Sequence, residues 1–258
     1  MKIRLQIIVC LLFLSCTSNK KATSIKVSNQ EFEVKSESAN WLDSSRNRLI
    51  PVAIYTPIVK ENIRNQQLVI VSHGYGENKP GANKSYSYLT KKLGSKGYYV
   101  VSIQHELPTD DLLPLTGIPQ VVRRSNWERG AENILFVLNE LKKIKPELDF
   151  KHVNLIGHSN GGDMTVLFAH KYPNLADKII SLDNRRMELP RNSQPKIYSL
   201  RSSDQSADEG VLPTVTEQKK FGIKIIKLPN TIHNDMNDRG NKRQKREINT
   251  YILDFLRE

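Results

Sequence analysis

The chain has 258 residues, of which 38% are hydrophobic and 26% are charged, and its formal net charge is +12 at pH 7. This length and composition fit one globular domain with a sizeable hydrophobic core, and the absence of internal repeats and low-complexity blocks excludes a repeat array. The positive charge would suit anionic lipid, an anionic substrate or nucleic acid. Because the sequence contains no nucleic-acid-binding motif, we predict no nucleic-acid partner.

The N-terminal segment differs in composition from the rest. Met1–Ser15 carries two positive charges followed by an apolar run that is too short to cross a bilayer, which predicts a signal peptide over residues 1–15. The run ends in "FLSC", which resembles the lipobox of bacterial lipoproteins, although Phe13 replaces the usual leucine. The resemblance implies acylation of Cys16, a polar tether over 16–30, and a lipid-anchored protein of the bacterial cell envelope, periplasmic or associated with the outer membrane. An ordinary secreted protein, cleaved nearby, is the alternative.

Both cysteines of the chain, Cys10 and Cys16, lie in this leader. The remaining residues, 31–258, therefore offer neither a disulfide nor a thiolate metal site. We also find no cluster of metal-ligating residues with convincing spacing, so we predict that the protein uses no metal and no organic cofactor.

In chain order, two strands come first. Glu31–Ser38 alternates apolar and polar residues, and Leu49–Pro57 is a second strand, so the two predict an antiparallel pair. Short apolar runs then alternate with helical patterns. The predicted strands are QLVIVSHG, YYVVSIQHE, HVNLIGHS, DKIISLD, KIYSLRS and IKIIKL, and the predicted helices are SYSYLTKKLGSKG, NWERGAENILFVLNELKKI, NGGDMTVLFAHKYP and NKRQKREINTYILDFLRE.

This alternation predicts the α/β class, with a mostly parallel central sheet, an antiparallel N-terminal strand pair and helices on both faces. In such sheets the functional sites lie at the carboxyl ends of the strands. The residues directly after each apolar run are therefore the candidates for a site.

One of these positions fits a nucleophile motif. The stretch Gly157–Gly161 is G-x-S-x-G and lies between a predicted strand and a predicted helix. The glycines permit a sharp turn that exposes the Ser159 hydroxyl in a strained conformation. Ser159 is the predicted nucleophile, and a tight polar turn without catalytic function is the alternative.

The other members of a catalytic triad should follow in the order acid, then histidine. His233 lies in the loop after the last predicted strand, which predicts it as the base. Asp204 lies shortly after the strand KIYSLRS and is the preferred acid, because a carboxylate near a strand end can reach the imidazole. Asp208 and Glu209 in the same loop are rivals, and Asp183 after the preceding strand is a weaker candidate.

An oxyanion hole needs two backbone N–H groups beside the nucleophile. Asn160 follows Ser159 directly, so we predict its backbone N–H as one donor. The loop "HGYGEN" after the strand QLVIVS predicts Tyr75 as the other, because His73 and Gly74 form a tight turn.

These pieces occur together in the order required, and in this the chain resembles the α/β-hydrolase superfamily over residues 31–258. The stretch from Ser72 to Glu106 is similar to that of dienelactone hydrolases, platelet-activating-factor acetylhydrolase-like enzymes and bacterial polyester hydrolases of the cutinase type. The resemblance implies Ser159, Asp204 and His233 as the triad. It also implies Tyr75 and Asn160 as oxyanion donors, with the Tyr75 ring packed on the substrate.

The chain departs from that pattern in its arginine-rich loops. The connection 107–127 is a possible lid or active-site loop, and arginines lie in it and after the strand DKIISLD. Arg129 and Arg185 are candidate substrate-binding residues that could hold a carboxylate or a phosphate. The alternative is that the arginines form ion pairs with neighbouring acidic residues.

The sequence therefore favours a serine hydrolase acting on a small or medium-sized carboxylic ester, with anionic esters among the candidates. A serine peptidase or amidase with the same triad is the nearest alternative. Two non-catalytic alternatives are a binding lipoprotein on the hydrolase scaffold and an adaptor at the membrane surface. The sequence does not indicate an oligomeric state.

Overall fold

The structure is a computed structural model that describes residues 31–59 and 63–258. The predicted signal peptide, the tether over 16–30 and the lipidation site at Cys16 lie outside the described residues. In the part of the chain that is described, no helix combines the length and the apolar character needed to cross a bilayer.

Eight strands of the described chain form one sheet in the order β1-β2-β4-β3-β5-β6-β7-β8. β2 runs antiparallel to both of its neighbours, and all the other neighbouring strands are parallel. The strands are β1 Val34–Asp43, β2 Arg48–Pro57, β3 Gln66–Ser72, β4 Tyr99–Ile103, β5 Leu148–His158, β6 Lys178–Leu182, β7 Lys196–Arg201 and β8 Lys224–Lys227. This architecture confirms the predicted mixed, mostly parallel sheet.

The first strand extends further than its predicted end at Ser38. β1 continues to Asp43, which pairs with Arg48 at the start of β2. The Asp43 carboxylate accepts hydrogen bonds from the Ser45 hydroxyl (2.6 Å) and from Arg46 Nε (2.5 Å), and these bonds close the hairpin turn. The turn therefore prolongs the ladder beyond the stretch in which apolar and polar residues alternate.

Six α-helices occur in the described chain. They are α1 Ser87–Ser95, α2 Pro119–Val122, α3 Arg124–Ile144, α4 Ser159–Lys171, α5 Val215–Phe221 and α6 Lys242–Arg257. α5 was not predicted, although its sequence carries a signal for it. Thr214 and Glu217 form a reciprocal capping box at its N-terminus, the T-x-x-E pattern that often precedes a helix.

Both faces of the sheet are buried. In β3, Leu68 and Ile70 belong to a core cluster under α3 and α4, whereas Val69 and Val71 belong to a second cluster under α1 and α6. Successive side chains of a strand point to opposite faces, so a strand covered on both sides must be apolar throughout. This burial explains the continuous apolar runs of the strands. It also holds the strands rigidly in place, and the polar residues of the candidate site lie at their carboxyl ends.

Candidate active site

Ser159 lies at the turn where β5 ends and α4 begins. Its φ is +53°, a left-handed conformation that is costly for a residue other than glycine. A Cβ at Gly157 would lie 2.3 Å from the Gly161 carbonyl oxygen, and one at Gly161 would lie 2.2 Å from the His73 carbonyl oxygen. The two glycines therefore permit the close packing that presents the Ser159 hydroxyl at the edge of the sheet.

A chain of hydrogen bonds joins Ser159 to a buried acid. His233 Nε2 lies 2.9 Å from Ser159 Oγ, and His233 Nδ1 lies 2.5 Å from Asp183 Oδ2. Because Nδ1 faces a carboxylate, it carries the ring proton and donates to Asp183. Nε2 is then the acceptor for the serine hydroxyl, which is the arrangement that a general base requires.

The Asp183 carboxylate is fully buried and remains ionised. Burial alone would raise its pKa, but the hydrogen bond from His233, the charge of Arg201 and the hydrogen bonds from Ser202 together hold the pKa at about 2. Ser202 donates from its hydroxyl (2.7 Å) and from its backbone N–H (3.0 Å), and Arg201 Nη2 lies 3.0 Å from Asp183 Oδ1. These contacts fix a negative charge beside the imidazole.

Asp204, the preferred acid from sequence, does not contact the imidazole ring. Its Oδ1 instead accepts a hydrogen bond from the backbone N–H of His233 (2.7 Å), so the carboxylate holds the loop rather than the ring. Asp208, a rival candidate, forms an ion pair with Arg186. The structure thus corrects the preference for Asp204 and brings Asp183, the weaker candidate, to the ring.

Asp183 reaches the ring because of its backbone. It follows β6 directly with a φ of +57°, a conformation that aspartate tolerates better than most residues. Asp183 follows the apolar strand directly and is followed by Asn184. This Asp-Asn pair at a strand end is the sequence feature that could have marked Asp183 as the acid. The carboxylate also needs no intervening loop residues, whereas Asp204 lies three residues beyond the end of β7.

Tyr75 and Asn160, the residues predicted to supply the oxyanion donors, line the smaller cavity together with Ser159. Asn160 is the second residue of α4, and the first N–H groups of a helix have no partner within it. The N–H groups on either side of Tyr75 are engaged, since Gly74 donates to the Tyr86 hydroxyl (3.1 Å) and Gly76 donates to Glu106 Oε2 (3.2 Å). These two bonds anchor the loop around the Tyr75 N–H.

Glu106 was not singled out from sequence, yet it joins both sides of this donor pair. Its side chain is fully buried after β4, with Oε2 accepting from the Gly76 N–H and Oε1 accepting from Asn160 Nδ2 (2.9 Å). Asn160 Nδ2 also donates to Asn126 Oδ1 (2.9 Å), and Asn160 Oδ1 accepts from Trp127 Nε1 (2.8 Å). A single carboxylate thus links the Tyr75 loop to the start of α4.

A second histidine, His158, packs against His233. The ring centroids of His158 and His233 lie 4.6 Å apart, and the Tyr86 hydroxyl donates to His158 Nδ1 (2.6 Å). Burial, and after it the nearby His233 side chain, lower the pKa of His158 to about 3. His158 is therefore a neutral side chain that lines the larger cavity beside His233.

Comparisons with known proteins bear on the fold. No protein-family model matches the chain. A probable serine hydrolase from Drosophila melanogaster is 28% identical over 79 residues, which cover 30% of this chain and 24% of that protein, so the match spans about a quarter of that relative. Esterase Est22 superposes with a TM-score of 0.60 at 14% identity, over 87% of this chain and 82% of that chain.

A dienelactone hydrolase from Anabaena variabilis superposes with a TM-score of 0.54 at 12% identity, over 85% of this chain and 95% of that chain. The chain has the α/β-hydrolase fold. The fold that the resemblance implied is therefore confirmed. The closer resemblance to the dienelactone-hydrolase branch stays a prediction.

In this α/β-hydrolase fold, two cavities meet at Ser159. One has a volume of about 380 Å³ and is lined by the Tyr75 loop, Tyr86, His158 and residues around His233. The other has a volume of about 190 Å³. Its lining residues are Tyr75, Leu113, Leu115, Arg123, Ser159, Asn160, Asp163, Arg185 and Arg186. The connection 107–127 thus contributes to the second cavity, and Tyr75 lines both.

The two candidate substrate-binding arginines separate in the structure. Arg185 lines the smaller cavity, where it could contact a substrate, and its substrate contact stays a prediction. Arg129 lines neither cavity and lies 3.6 Å from Asp110, which also binds Arg48 through both carboxylate oxygens (2.7 and 2.6 Å). Arg129 therefore belongs to an ion-pair cluster that holds the loop after β4, which is the alternative role considered for the arginines. Among the described residues, no group of three or more histidine, cysteine or acidic side chains could hold a metal ion.

Asp163 makes a testable contribution to stability. Burial raises its pKa to about 6, although the N–H groups of Met187 (2.9 Å) and Arg186 (3.0 Å) donate to its Oδ1. A folded-state pKa above the unfolded value means that the folded protein binds the extra proton, so stability is lost as pH rises from about 4 to about 6. Relative to Asp163→Asn, the wild type should lose ~2 kcal/mol of unfolding free energy between pH 4 and pH 7.

Urea denaturation at a series of pH values would measure this difference. The asparagine keeps an oxygen for the two N–H donors, so the comparison isolates the ionisation. If the unfolding free energies of the two proteins changed equally between pH 4 and pH 7, the raised pKa of Asp163 would be contradicted.

Proposed function

We propose that the protein is a serine hydrolase that cleaves carboxylic esters by acyl transfer to Ser159. The observation that carries the proposal is the chain Ser159 Oγ–His233 Nε2–His233 Nδ1–Asp183, with both links within hydrogen-bond distance. The chain ends in a buried ionised carboxylate, and it opens on two cavities that can hold a substrate.

In the first half of the reaction, His233 takes the Ser159 proton as the oxygen attacks the ester carbonyl carbon. The negative charge that forms on the carbonyl oxygen is stabilised by the N–H groups of Tyr75 and Asn160. Asp183 stabilises the imidazolium and keeps the ring in the productive tautomer. His233 then protonates the departing alkoxide, and the acyl group remains on Ser159.

In the second half, His233 deprotonates a water molecule, which attacks the acyl-enzyme. The tetrahedral intermediate again places its charge between the two N–H groups, and its collapse releases the acid and restores Ser159. The scheme balances without a metal or an organic cofactor.

Support for an ester substrate comes from the similar proteins. Est22 is named an esterase, a dienelactone hydrolase shares the fold, and the Drosophila melanogaster relative is named a probable serine hydrolase. Amide hydrolysis by the same triad is the second candidate, because the proton transfers are the same for an amine leaving group.

Treatment with a fluorophosphonate, followed by intact mass spectrometry, tests the proposal on the full chain. We expect a single adduct on the wild type, no adduct on Ser159→Ala, and strongly slowed labelling of His233→Ala, because only an activated serine reacts readily with this reagent. Ser125→Ala, which removes an exposed hydroxyl on α3, is the matched control and should label like the wild type. A folded wild-type protein that gains no adduct would contradict the proposal.

Turnover of p-nitrophenyl butyrate and of N-butyryl-p-nitroaniline separates the two candidate reactions. The ester hydrolase proposal requires the first compound to be hydrolysed in a Ser159-dependent way. A higher kcat/KM for the anilide would favour the amidase.

The location of the enzyme is a further part of the proposal. We propose that the chain is anchored by acylated Cys16 at the bacterial cell envelope, on the support of the leader pattern in Met1–Ser15. A reaction at the envelope would suit a small ester that reaches the cell from outside.

A further inference from the structure

The smaller cavity beside Ser159 is unusually rich in arginine. Three guanidinium groups line its volume of about 190 Å³, those of Arg123, Arg185 and Arg186. All three side chains are half-buried rather than exposed. Half-buried positive charges in a small cavity interact with one another and with a ligand more strongly than charges in open solvent.

The three arginines differ in their partners within the described part of the chain. Arg186 forms an ion pair with Asp208. Arg123 donates from Nε to the Pro114 carbonyl oxygen (2.9 Å) and has no carboxylate partner there. The guanidinium of Arg185 has neither a hydrogen bond nor an ion pair among the described residues. Neither Arg123 nor Arg185 therefore has a carboxylate within ion-pair distance among the described residues, although the charges of Asp163 and Asp208 also act on Arg123.

The nearby carboxylates are already engaged by other groups. Asp163 is the one carboxyl among the residues that line this cavity, and its Oδ1 accepts the N–H groups of Arg186 and Met187. Asp208 accepts from Arg186 and from Gln120 Nε2 (2.9 Å). Burial and the charges of Arg186 and Arg185 lower the pKa of Arg123, and together they outweigh the opposite effect of the Asp163 and Asp208 carboxylates. An anion in the cavity would relieve the repulsion between these arginines.

The backbone that carries Arg185 is fixed before any substrate arrives. The Arg185 carbonyl oxygen accepts a hydrogen bond from the Asp208 N–H (3.0 Å), and Asp163 holds the next two N–H groups along the chain. Arg185 lies two residues after Asp183, so it is mounted on the loop that also positions the triad acid. A guanidinium on a fixed backbone loses less entropy when it binds a ligand.

The larger cavity provides a contrast on the other side of Ser159. Its charged lining residues are Glu77, Lys79 and Arg239, all of which are exposed, and Glu77 and Lys79 form an ion pair. The two sides of Ser159 therefore differ in charge. The half-buried arginines that have no ion-pair partner among the described residues lie on the side of the smaller cavity.

We propose that the substrate carries an anionic group, a carboxylate or a phosphate, which Arg185 and Arg123 bind in the smaller cavity while Ser159 attacks the ester. This inference rests on the proposed ester hydrolysis and adds to it the class of substrate. A guanidinium suits such a group because its N–H donors match two oxygens of a carboxylate or a phosphate.

The kinetic test compares an anionic ester with a neutral ester of the same length. The probes are the p-nitrophenyl monoester of glutaric acid and p-nitrophenyl valerate, with 4-(butyryloxy)benzoate and phenyl butyrate as a second pair that carries the charge on the leaving group. We expect the wild type to prefer the anionic member of one pair, and the pair that shows the preference identifies which half of the substrate is charged. Phenyl phosphate and phenol as competitors show whether a phosphate is also accepted.

In Arg185→Gln, the ratio of kcat/KM for the anionic ester to that for the neutral ester should fall by about tenfold to 100-fold, because a charge-assisted hydrogen bond is lost. Arg123→Gln should lower the same ratio by a smaller factor. Arg124→Gln is the matched control, since Arg124 is exposed on α3 and pairs with Glu128, and its ratio should stay within about twofold of the wild type. An equal ratio in wild type and Arg185→Gln would overturn the proposal.

A binding measurement tests the anion site without any reaction at the serine. Glutarate is titrated calorimetrically into Ser159→Ala, into Ser159→Ala/Arg185→Gln and into Ser159→Ala/Arg124→Gln. We expect binding in the first and third proteins and a loss of at least about tenfold in the second. Absent binding, or equal binding in all three, would overturn the anion site while leaving ester hydrolysis intact. Binding without ester turnover or serine labelling would instead contradict only the proposed reaction.

Discussion

Asp183→Asn is expected to lower kcat for p-nitrophenyl butyrate by about 10⁴-fold, because an amide at this position favours the unproductive tautomer of the histidine. His233 Nδ1 now donates to a carboxylate 2.5 Å away, whereas the asparagine NH2 group could occupy that place and turn the ring proton to Nε2. Nε2 would then be unable to accept the Ser159 proton. The kcat from steady-state kinetics and the rate of fluorophosphonate labelling should decrease together.

Asp204→Asn is the matched comparison, because it makes the same chemical change at the acid preferred from sequence. Among the described residues its Oδ1 accepts only the backbone N–H of His233, and an asparagine oxygen can accept the same hydrogen bond. We expect kcat to change by less than about tenfold. A larger loss in Asp204→Asn than in Asp183→Asn would show that the working enzyme uses a different acid from the one in contact with the ring.

Glu106→Gln is expected to lower kcat by about 10² to 10³-fold, comparable with the loss of an oxyanion-hole donor. The wild-type carboxylate accepts from both Gly76 N–H and Asn160 Nδ2. A glutamine offers one oxygen, and its NH2 group would face one of these donors. The Tyr75 loop or the start of α4 would shift as a result. The N–H groups of Tyr75 and Asn160 would then no longer point at the same oxygen atom of the substrate.

The pattern of the kinetic constants distinguishes this positioning role from a general loss of structure. Misplaced oxyanion donors lower kcat while KM changes little, because the charge they stabilise develops only in the transition state. Glu128→Gln, at a half-exposed glutamate of α3, is the control and should keep both constants near the wild type. If Glu106→Gln raised KM and left kcat unchanged, Glu106 would contribute to substrate binding rather than to the oxyanion hole.

Much of the fold could be predicted from the sequence, because burial on both faces of the sheet leaves a plain pattern of apolar runs. Ser159 and His233 could be predicted for a related reason. The glycines around Ser159 and the position of His233 after the last strand are local features of the sequence, and each is tied to a strand end. The structure brings their side chains to 2.9 Å.

The acid could not be chosen as reliably, because three strands lie between Ser159 and His233 and an aspartate follows each of the first two. The choice depends on where the His233 loop returns over the sheet and on the positive φ of Asp183, which are properties of tertiary structure. Likewise, nothing local marked Glu106 as a link between two loops. Arg129 and Arg185 looked equivalent until their partners were known, since only the folded chain places Asp110 beside Arg129.

Ser159, the proposed nucleophile, has a left-handed backbone with a φ of +53°, so thermal stability and catalysis favour different residues at this position. Glycine would relax that conformation by about 1 kcal/mol and would remove the hydroxyl at the same time. A library selected for thermal tolerance alone should therefore enrich glycine at position 159, and the same library selected for turnover should discard it. Stabilising substitutions that preserve activity should therefore be sought outside the turn that contains Ser159.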